Sequence, residues 1–167
     1  DPVPVTNQDG QKILLDGMQG NSVSFKFANN PNAGASIPVD PDSRIRLSYD
    51  YPDNFSDIQL NVLNGNYDQA LRSIRNPPIN LLRFLAVPEA NCNFHLYSEI
   101  YYRALVYAGA PQIAVEATAA IPWKSPYLPT VFIDHASTLL NRMVDEQRVD
   151  AAEKLLNTLQ ESLSVTQ

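Results

Sequence analysis

We predict an α+β fold for this chain of 167 residues, with a small antiparallel β-barrel or meander over residues 1–52 and an all-α domain of helical hairpins over residues 53–167. Between residues 11 and 51, apolar residues alternate with polar ones, which is the period of a β-strand. Beyond residue 52 they recur every three or four positions, as on one face of an α-helix. The 13 prolines fall mainly between these runs, where they stop a helix or strand from continuing.

The β-part is predicted from short alternating segments that are separated by turn-forming residues. Asp-Gly, Gly-Asn and Asn-Pro pairs occur between the segments, and such residues either tolerate a positive φ or fix φ near about −65°. The apolar residues are few for a domain of this length, so we expect the β-part to pack against the helical part. The predicted strands cover residues 12–15, 23–27, 35–39 and 44–49, with turns at 16–21, 29–34 and 40–43.

This β-part resembles the SH3-like and Sm-like barrels. Residues 12–20 match a first strand that ends in Asp-Gly, residues 23–27 match the second strand, and residues 37–47 match the final pair of strands. The resemblance implies that the strands close into a small barrel.

The helical part is predicted from the spacing of its apolar residues and from the prolines that interrupt it. Asn76-Pro77-Pro78 closes the first pair of helices, and residues 121–129, which contain three prolines, separate the second pair from the third. The predicted helices cover residues 54–64, 67–75, 80–86, 94–108, 111–120, 129–145 and 149–163.

Residues 64–71, Asn-Gly-Asn-Tyr-Asp-Gln-Ala-Leu, resemble the centre of the tetratricopeptide repeat. In that family a glycine ends the first helix of a pair, an aromatic residue follows, and a small alanine lets the second helix pack closely. Weaker copies of the string end at Ala114 and Ala152, the second with Gln147 in place of the glycine. The intervals from Ala70 to Ala114 and on to Ala152 are 44 and 38 residues, longer than the family's repeat of about 34. The same segments therefore also match generic helical hairpins.

The net charge of −6 is spread over both halves of the chain, and the densest basic cluster is Arg44-Ile45-Arg46. Binding to nucleic acid or to an anionic membrane surface requires several clustered Lys and Arg side chains, so we expect neither partner. No run of about 18 apolar residues occurs, so we expect no membrane insertion. Because the chain opens with Asp-Pro-Val-Pro rather than Met, we expect a periplasmic or secreted protein without its signal peptide, with a trimmed chain as the alternative.

The sequence contains no catalytic or metal-binding motif, and we predict neither an enzyme nor a bound cofactor. A zinc site needs about four ligands, whereas only Cys92 and His95 stand close together, and His135 follows Asp134 further along. Such residues more often lie in the core or make ordinary hydrogen bonds. A pocket that joined Cys92 to His95 or His135 would instead favour a cysteine nucleophile activated by an imidazole.

The resemblance to the repeat family implies a concave groove lined by the first helix of each pair. We predict a non-enzymatic protein-protein interaction module, an adaptor or scaffold, that binds a protein or peptide in this groove. A structural or self-associating domain that forms a homo-oligomer is the alternative, and a small hydrolase-type enzyme is less favoured. Trp123, between prolines, is expected in the core. The predicted partner-binding residues are Glu99, Arg103, Tyr107, Tyr127, Asp134 and Asn141, a set that departs from the Lys- and Asn-rich groove that binds carboxylate-terminated peptides.

Overall fold

The computed structural model describes residues 1–163, with side chains described as far as residue 161. An N-terminal antiparallel sheet precedes a helical part, which confirms the α+β class. The strands pair in the order β1-β2-β3-β4, so the sheet is an open meander rather than a closed barrel. The strands are β1 (Val3–Thr6), β2 (Lys12–Gln19), β3 (Ser22–Phe27) and β4 (Asn30–Pro38).

The composition of β4 explains why the sheet stays open. This strand contains Pro31 and Pro38, which have no amide hydrogen, and proline is tolerated in a strand chiefly at a sheet edge. Its residues are mostly exposed, so it offers no apolar face to a further strand. The turn predicted at residues 29–34 is wrong, because a two-residue turn joins β3 to β4 and β4 already begins at Asn30.

The turn between β2 and β3 agrees with the sequence. Gln19 pairs with Ser22, which leaves Gly20 and Asn21 as a two-residue turn. Gly20 has a φ of 59°, and the turns that match the twist of a hairpin need a positive φ at this place. The strands predicted at residues 12–15 and 23–27 are confirmed as parts of β2 and β3.

The outer edge of the sheet differs from the prediction. β1 was not predicted, although it pairs with β2 through Val3 and Val5. The strand predicted at residues 44–49 forms only two isolated bridges, from Ser48 to β1 and from Leu47 to Cys92. The alternating pattern of this segment has another cause: Leu47 is buried while its two neighbours are exposed.

One face of the sheet packs against the helical part. Cross-strand partners such as Val3 and Leu15, or Leu15 and Phe25, share this face, because paired residues point to the same side. β2 contacts a short 3₁₀ helix at Ile79–Phe84. Sheet and helices thus share one hydrophobic core, as expected for a small β-part. Its members from the sheet are Val3, Val5, Ile13, Leu15, Val23 and Phe25.

Six of the seven predicted helices are confirmed as α-helices among the described residues, with ends that shift by at most a few positions. The segment predicted as a helix at residues 80–86 is instead the 3₁₀ helix, because Pro77, Pro78 and Pro88 confine it to a short span. No helix in the described chain is long and apolar enough to cross a membrane. The α-helices are α1 (Phe55–Leu63), α2 (Tyr67–Arg72), α3 (Phe94–Tyr107), α4 (Gln112–Ala120), α5 (Val131–Asp145) and α6 (Val149–Leu163).

Successive helices pack as pairs, and each pair packs on the next. α1 contacts α2, α3 contacts α4, and α5 contacts α6, while α3 also contacts α1, α2 and α5. α1 and α5 end in the same way. Gly65 and Gln147 both adopt a positive φ, and the amide after each bonds to a carbonyl five residues back, with N···O distances of 2.7 Å at Asn66 and 2.8 Å at Arg148.

Candidate functional site

α3 lies at the centre of the helical part, and all but one side of it is covered. Ten of its 14 residues are buried, because four other α-helices and the 3₁₀ helix contact it. The remaining four are spaced by three or four residues, which places them on one side of the helix. We call this line of residues the α3 stripe: Leu96, Glu99, Arg103 and Tyr107.

The middle of the α3 stripe is fixed by a hydrogen bond from α5. Nε2 of His135 donates to Oε1 of Glu99 over 2.8 Å. Only 10% of the His135 side chain and 18% of the Glu99 side chain are exposed, so the bond is shielded from water and holds the carboxylate in place. Arg103, one turn further along α3, forms no ion pair with a described residue. Its guanidinium group can therefore bind an acceptor from outside the chain.

Aromatic rings hold the last residue of the α3 stripe. Tyr107 stacks on Tyr67 of α2, with ring centroids 5.1 Å apart, and it meets the ring of His135 nearly at a right angle at 6.2 Å. Tyr107 is nevertheless 40% exposed. A tyrosine fixed on two sides and open on a third can contribute contact area with little loss of side-chain freedom.

The other residues predicted for the groove lie outside the α3 stripe. Asp134 and Asn141 are exposed on α5, and Tyr127 is 36% exposed in the connector between α4 and α5. No hydrogen bond or ring contact in the described part of the chain joins any of the three to the stripe. The structure therefore places Glu99, Arg103 and Tyr107 on one side of α3, while Asp134 and Asn141 lie on α5 and Tyr127 lies in the connector before it.

Trp123 was expected in the core, and the structure places it at the edge of the core. It is half-buried and packs against the hydrophobic core, and its indole Nε1 donates a 2.8 Å hydrogen bond to the carbonyl of Thr118 at the end of α4. The indole thus anchors the connector to the end of α4.

Sequence reasoning missed three residues that complete this site: Leu96, His135 and Tyr67. Their roles depend on how α2 and α5 pack against α3, and no local pattern reports that packing. One signal was available, since Leu96 lies one helical turn before Glu99 and continues the spacing of Glu99, Arg103 and Tyr107.

A pocket of about 500 Å³ beside the start of α3 overlaps the α3 stripe, since Leu96 and Glu99 line it together with Cys92 and His95. Sγ of Cys92 lies 3.7 Å from Nδ1 of His95, and Nε2 of His95 lies 3.3 Å from the carbonyl oxygen of Leu85. A carbonyl can only accept, so Nε2 carries the proton and Nδ1 is unprotonated. The single thiol proton of Cys92 can be donated to Nδ1 or to the carbonyl oxygen of Pro88, which lies 3.6 Å from Sγ. This is the pocket that would favour a cysteine nucleophile.

Burial disfavours such chemistry, because it disfavours the charged forms of both side chains. It raises the pKa of Cys92 to about 12 and lowers the pKa of His95 below its ordinary value. The pair is therefore a thiol and a neutral imidazole, whereas a nucleophilic cysteine must be a thiolate. Among the described residues, no group of three or more His, Cys, Asp or Glu side chains could hold a metal ion.

Comparison of the chain with protein-family models, with curated proteins and with solved structures finds no match. Only the site itself therefore indicates a function. The site is a line of polar and apolar side chains along the central helix of an α+β protein.

Proposed function

We propose that the chain is a non-enzymatic protein-binding module, and that the α3 stripe is the floor of a groove between α2 and α5. One observation carries this proposal: the central helix is covered on every side except along four residues. Those four include Arg103 and Tyr107, and arginine and tyrosine are among the residues that most often dominate the energy of protein interfaces.

We further propose that the helix pairs are divergent repeats of tetratricopeptide type. The support is geometric, since Gly65 and Gln147 end the first helix of their pairs with the same backbone conformation although only one of them is glycine. A non-glycine residue rarely adopts a positive φ unless the surrounding structure requires it. The middle pair departs from this pattern, because Ala108 after α3 is extended, and so the repeats are irregular.

The side chains of the α3 stripe indicate the chemistry of a partner. Leu96 and Tyr107 offer apolar surface near the two ends, with 49% and 40% of each residue exposed. Arg103 between them offers hydrogen-bond donors. Glu99 is already occupied by His135 and contributes little further attraction. The groove therefore suits a partner segment with two apolar side chains on either side of a carbonyl or carboxylate acceptor.

Covalent capture of the partner tests this proposal, with the full chain present in its own host. A photo-crosslinking amino acid at Leu96 should capture one defined protein, whereas the same amino acid at Glu116, an exposed residue of α4, should not. With that protein in hand, Arg103→Ala and Tyr107→Ala should each weaken binding by about 2 kcal/mol, or roughly 30-fold.

Glu116→Ala is the matched control, and it should bind like the wild-type chain. Unchanged affinity in both Arg103→Ala and Tyr107→Ala would refute the groove. Capture of a second copy of this chain at Leu96 would identify self-association in place of a separate partner.

A further inference from the structure

A cavity of about 440 Å³ opens where the chain passes from the sheet into α1, beside the loop that follows α2. No residue of the α3 stripe lines it. Its volume lies in the range of small-molecule pockets and far exceeds what a single metal ion needs. Its lining includes Tyr49, Tyr97, Asp50, Asp53, Asn54 and Arg75.

Hydrogen bonds within the protein fix the walls of this cavity. The side chain of Asn93 binds the backbone of Tyr49 twice: Oδ1 accepts from the amide over 2.7 Å, and Nδ2 donates to the carbonyl over 2.9 Å. Across the cavity, Nδ2 of Asn54 donates to the carbonyl of Ser73 over 2.9 Å. These bonds hold the linker and the loop after α2 in place without any ligand, so binding would cost little ordering.

Two tyrosines form the aromatic part of the lining. The rings of Tyr49 and Tyr97 lie 6.1 Å apart. Tyr97 is 1% exposed as a whole residue, and its hydroxyl makes no hydrogen bond to a described residue, so this oxygen remains able to accept one from a ligand. Burial raises the pKa of both tyrosines, so both are neutral near pH 7, and neutral phenol rings attract cations.

The rim of the cavity is charged and has an excess of negative charge. Asp50, Asp53 and Arg75 are all exposed there, and none forms an ion pair with a described residue. Two carboxylates against one guanidinium favour a cation. We propose that this cavity binds a small organic cation through an ammonium group, which the aromatic lining and the two aspartates contact together.

The test uses three probes with the same carbon chain: butylammonium, butanol and butyrate. In NMR titrations of the full chain at pH 7, butylammonium should shift the ring signals of Tyr49 and Tyr97 saturably. Butanol and butyrate should not, because the proposal requires the positive charge. Equal shifts with butanol, or no saturable shift with butylammonium, would overturn the proposal.

Two sets of variants locate the binding. Asp50→Asn combined with Asp53→Asn should raise the Kd for butylammonium about tenfold, since each exposed carboxylate contributes a modest attraction. Asp9→Asn combined with Asp145→Asn makes the same change in net charge at exposed sites away from the cavity, and it should leave the Kd unchanged. Equal Kd values for the two double variants would also overturn the proposal.

Tyr97→Phe keeps the ring and removes only the hydroxyl group, so it provides a folded variant in the buried part of the lining. It should weaken binding several-fold without a loss of thermal stability.

A blocked Gly-Lys-Gly peptide then separates two sources of the ammonium group. Binding of both butylammonium and the peptide indicates a lysine side chain of a protein ligand, whereas binding of butylammonium alone indicates a free amine.

Discussion

Ala70 lies fully buried on α2, which packs against α1. A leucine at this position adds three carbons to a place that alanine already fills. We expect Ala70→Leu to lower the free energy of unfolding by about 1–3 kcal/mol, because the packed neighbours must move apart. Chemical denaturation followed by circular dichroism measures the change.

Gln69→Leu is the control for this variant. Gln69 precedes Ala70 on the same helix but is exposed, so the added apolar bulk points into solvent and should change stability by less than about 0.5 kcal/mol. If Ala70→Leu is as stable as Gln69→Leu, the two helices are not closely packed at Ala70.

Residue by residue, the sequence predicted part of the candidate groove. Glu99, Arg103 and Tyr107 were predicted from the resemblance to the tetratricopeptide family, whose groove positions fall on them, and all three lie on one side of α3. The partner of Glu99 could not be found in the same way, because His135 lies 36 residues away on another helix. Pairs of this kind depend on helix packing, whereas local spacing reports only the face of a single helix.

Among the secondary-structure elements, the sheet depends most on neighbouring segments for its stability. Its apolar face is covered by the 3₁₀ helix at Ile79–Phe84, and Leu47 donates a 2.7 Å backbone hydrogen bond to Asn91. We therefore expect residues 1–52 expressed alone to show no cooperative thermal transition, because the exposed face would lose most of its burial. Differential scanning calorimetry and amide NMR spectra test this.

The comparison for that fragment is the full chain under the same conditions, which should melt cooperatively. A sharp transition or a dispersed amide spectrum for residues 1–52 would mean that the sheet folds independently. The β-part would then be a separate domain joined to the helices only by its linker.

The elements also show where pattern reading succeeds and fails. Helices were predicted well because caps, prolines and apolar spacing are local signals. The strand at residues 44–49 was wrong because alternation reports that one side of a segment is buried, and Leu47 is buried without belonging to a ladder. β1 was missed because a strand of four residues with a central proline gives too short a pattern.

The molecule as a whole buries several groups that become anions when they lose a proton. Burial raises the pKa of Cys92 and of Tyr101 to about 12, and it also raises the pKa of Tyr97 and of Tyr102. In the unfolded chain these groups titrate at their ordinary values of 9.0 for cysteine and 10.0 for tyrosine. The folded state then keeps protons that the unfolded state releases. Their contribution to stability should be constant below about pH 9, and it should be lost as the pH rises toward 12.

Urea denaturation at a series of pH values measures this fall, and Tyr101→Phe provides the matched variant. It keeps a buried ring at a position that is 3% exposed and removes one titrating hydroxyl. Between about pH 10 and 12 its stability should decline less steeply than that of the wild type, by up to about 1.4 kcal/mol per pH unit. Constant wild-type stability from pH 8 to pH 11 would contradict the prediction.

The contacts that attach the sheet to the helical part have a consequence for synthesis of the chain. They join distant positions: the guanidinium group of Arg83 donates to the backbone carbonyl of Asp1 over 2.5 Å, and Leu47 bonds to Asn91. A ribosome completes β4 well before it produces the 3₁₀ helix that covers the sheet. At a synthesis rate of about 5–20 residues per second, the apolar residues of the β-part remain without this helix for a few seconds. During that interval the β-part is expected to stay unfolded with its apolar residues accessible to chaperones, as in the isolated fragment of residues 1–52.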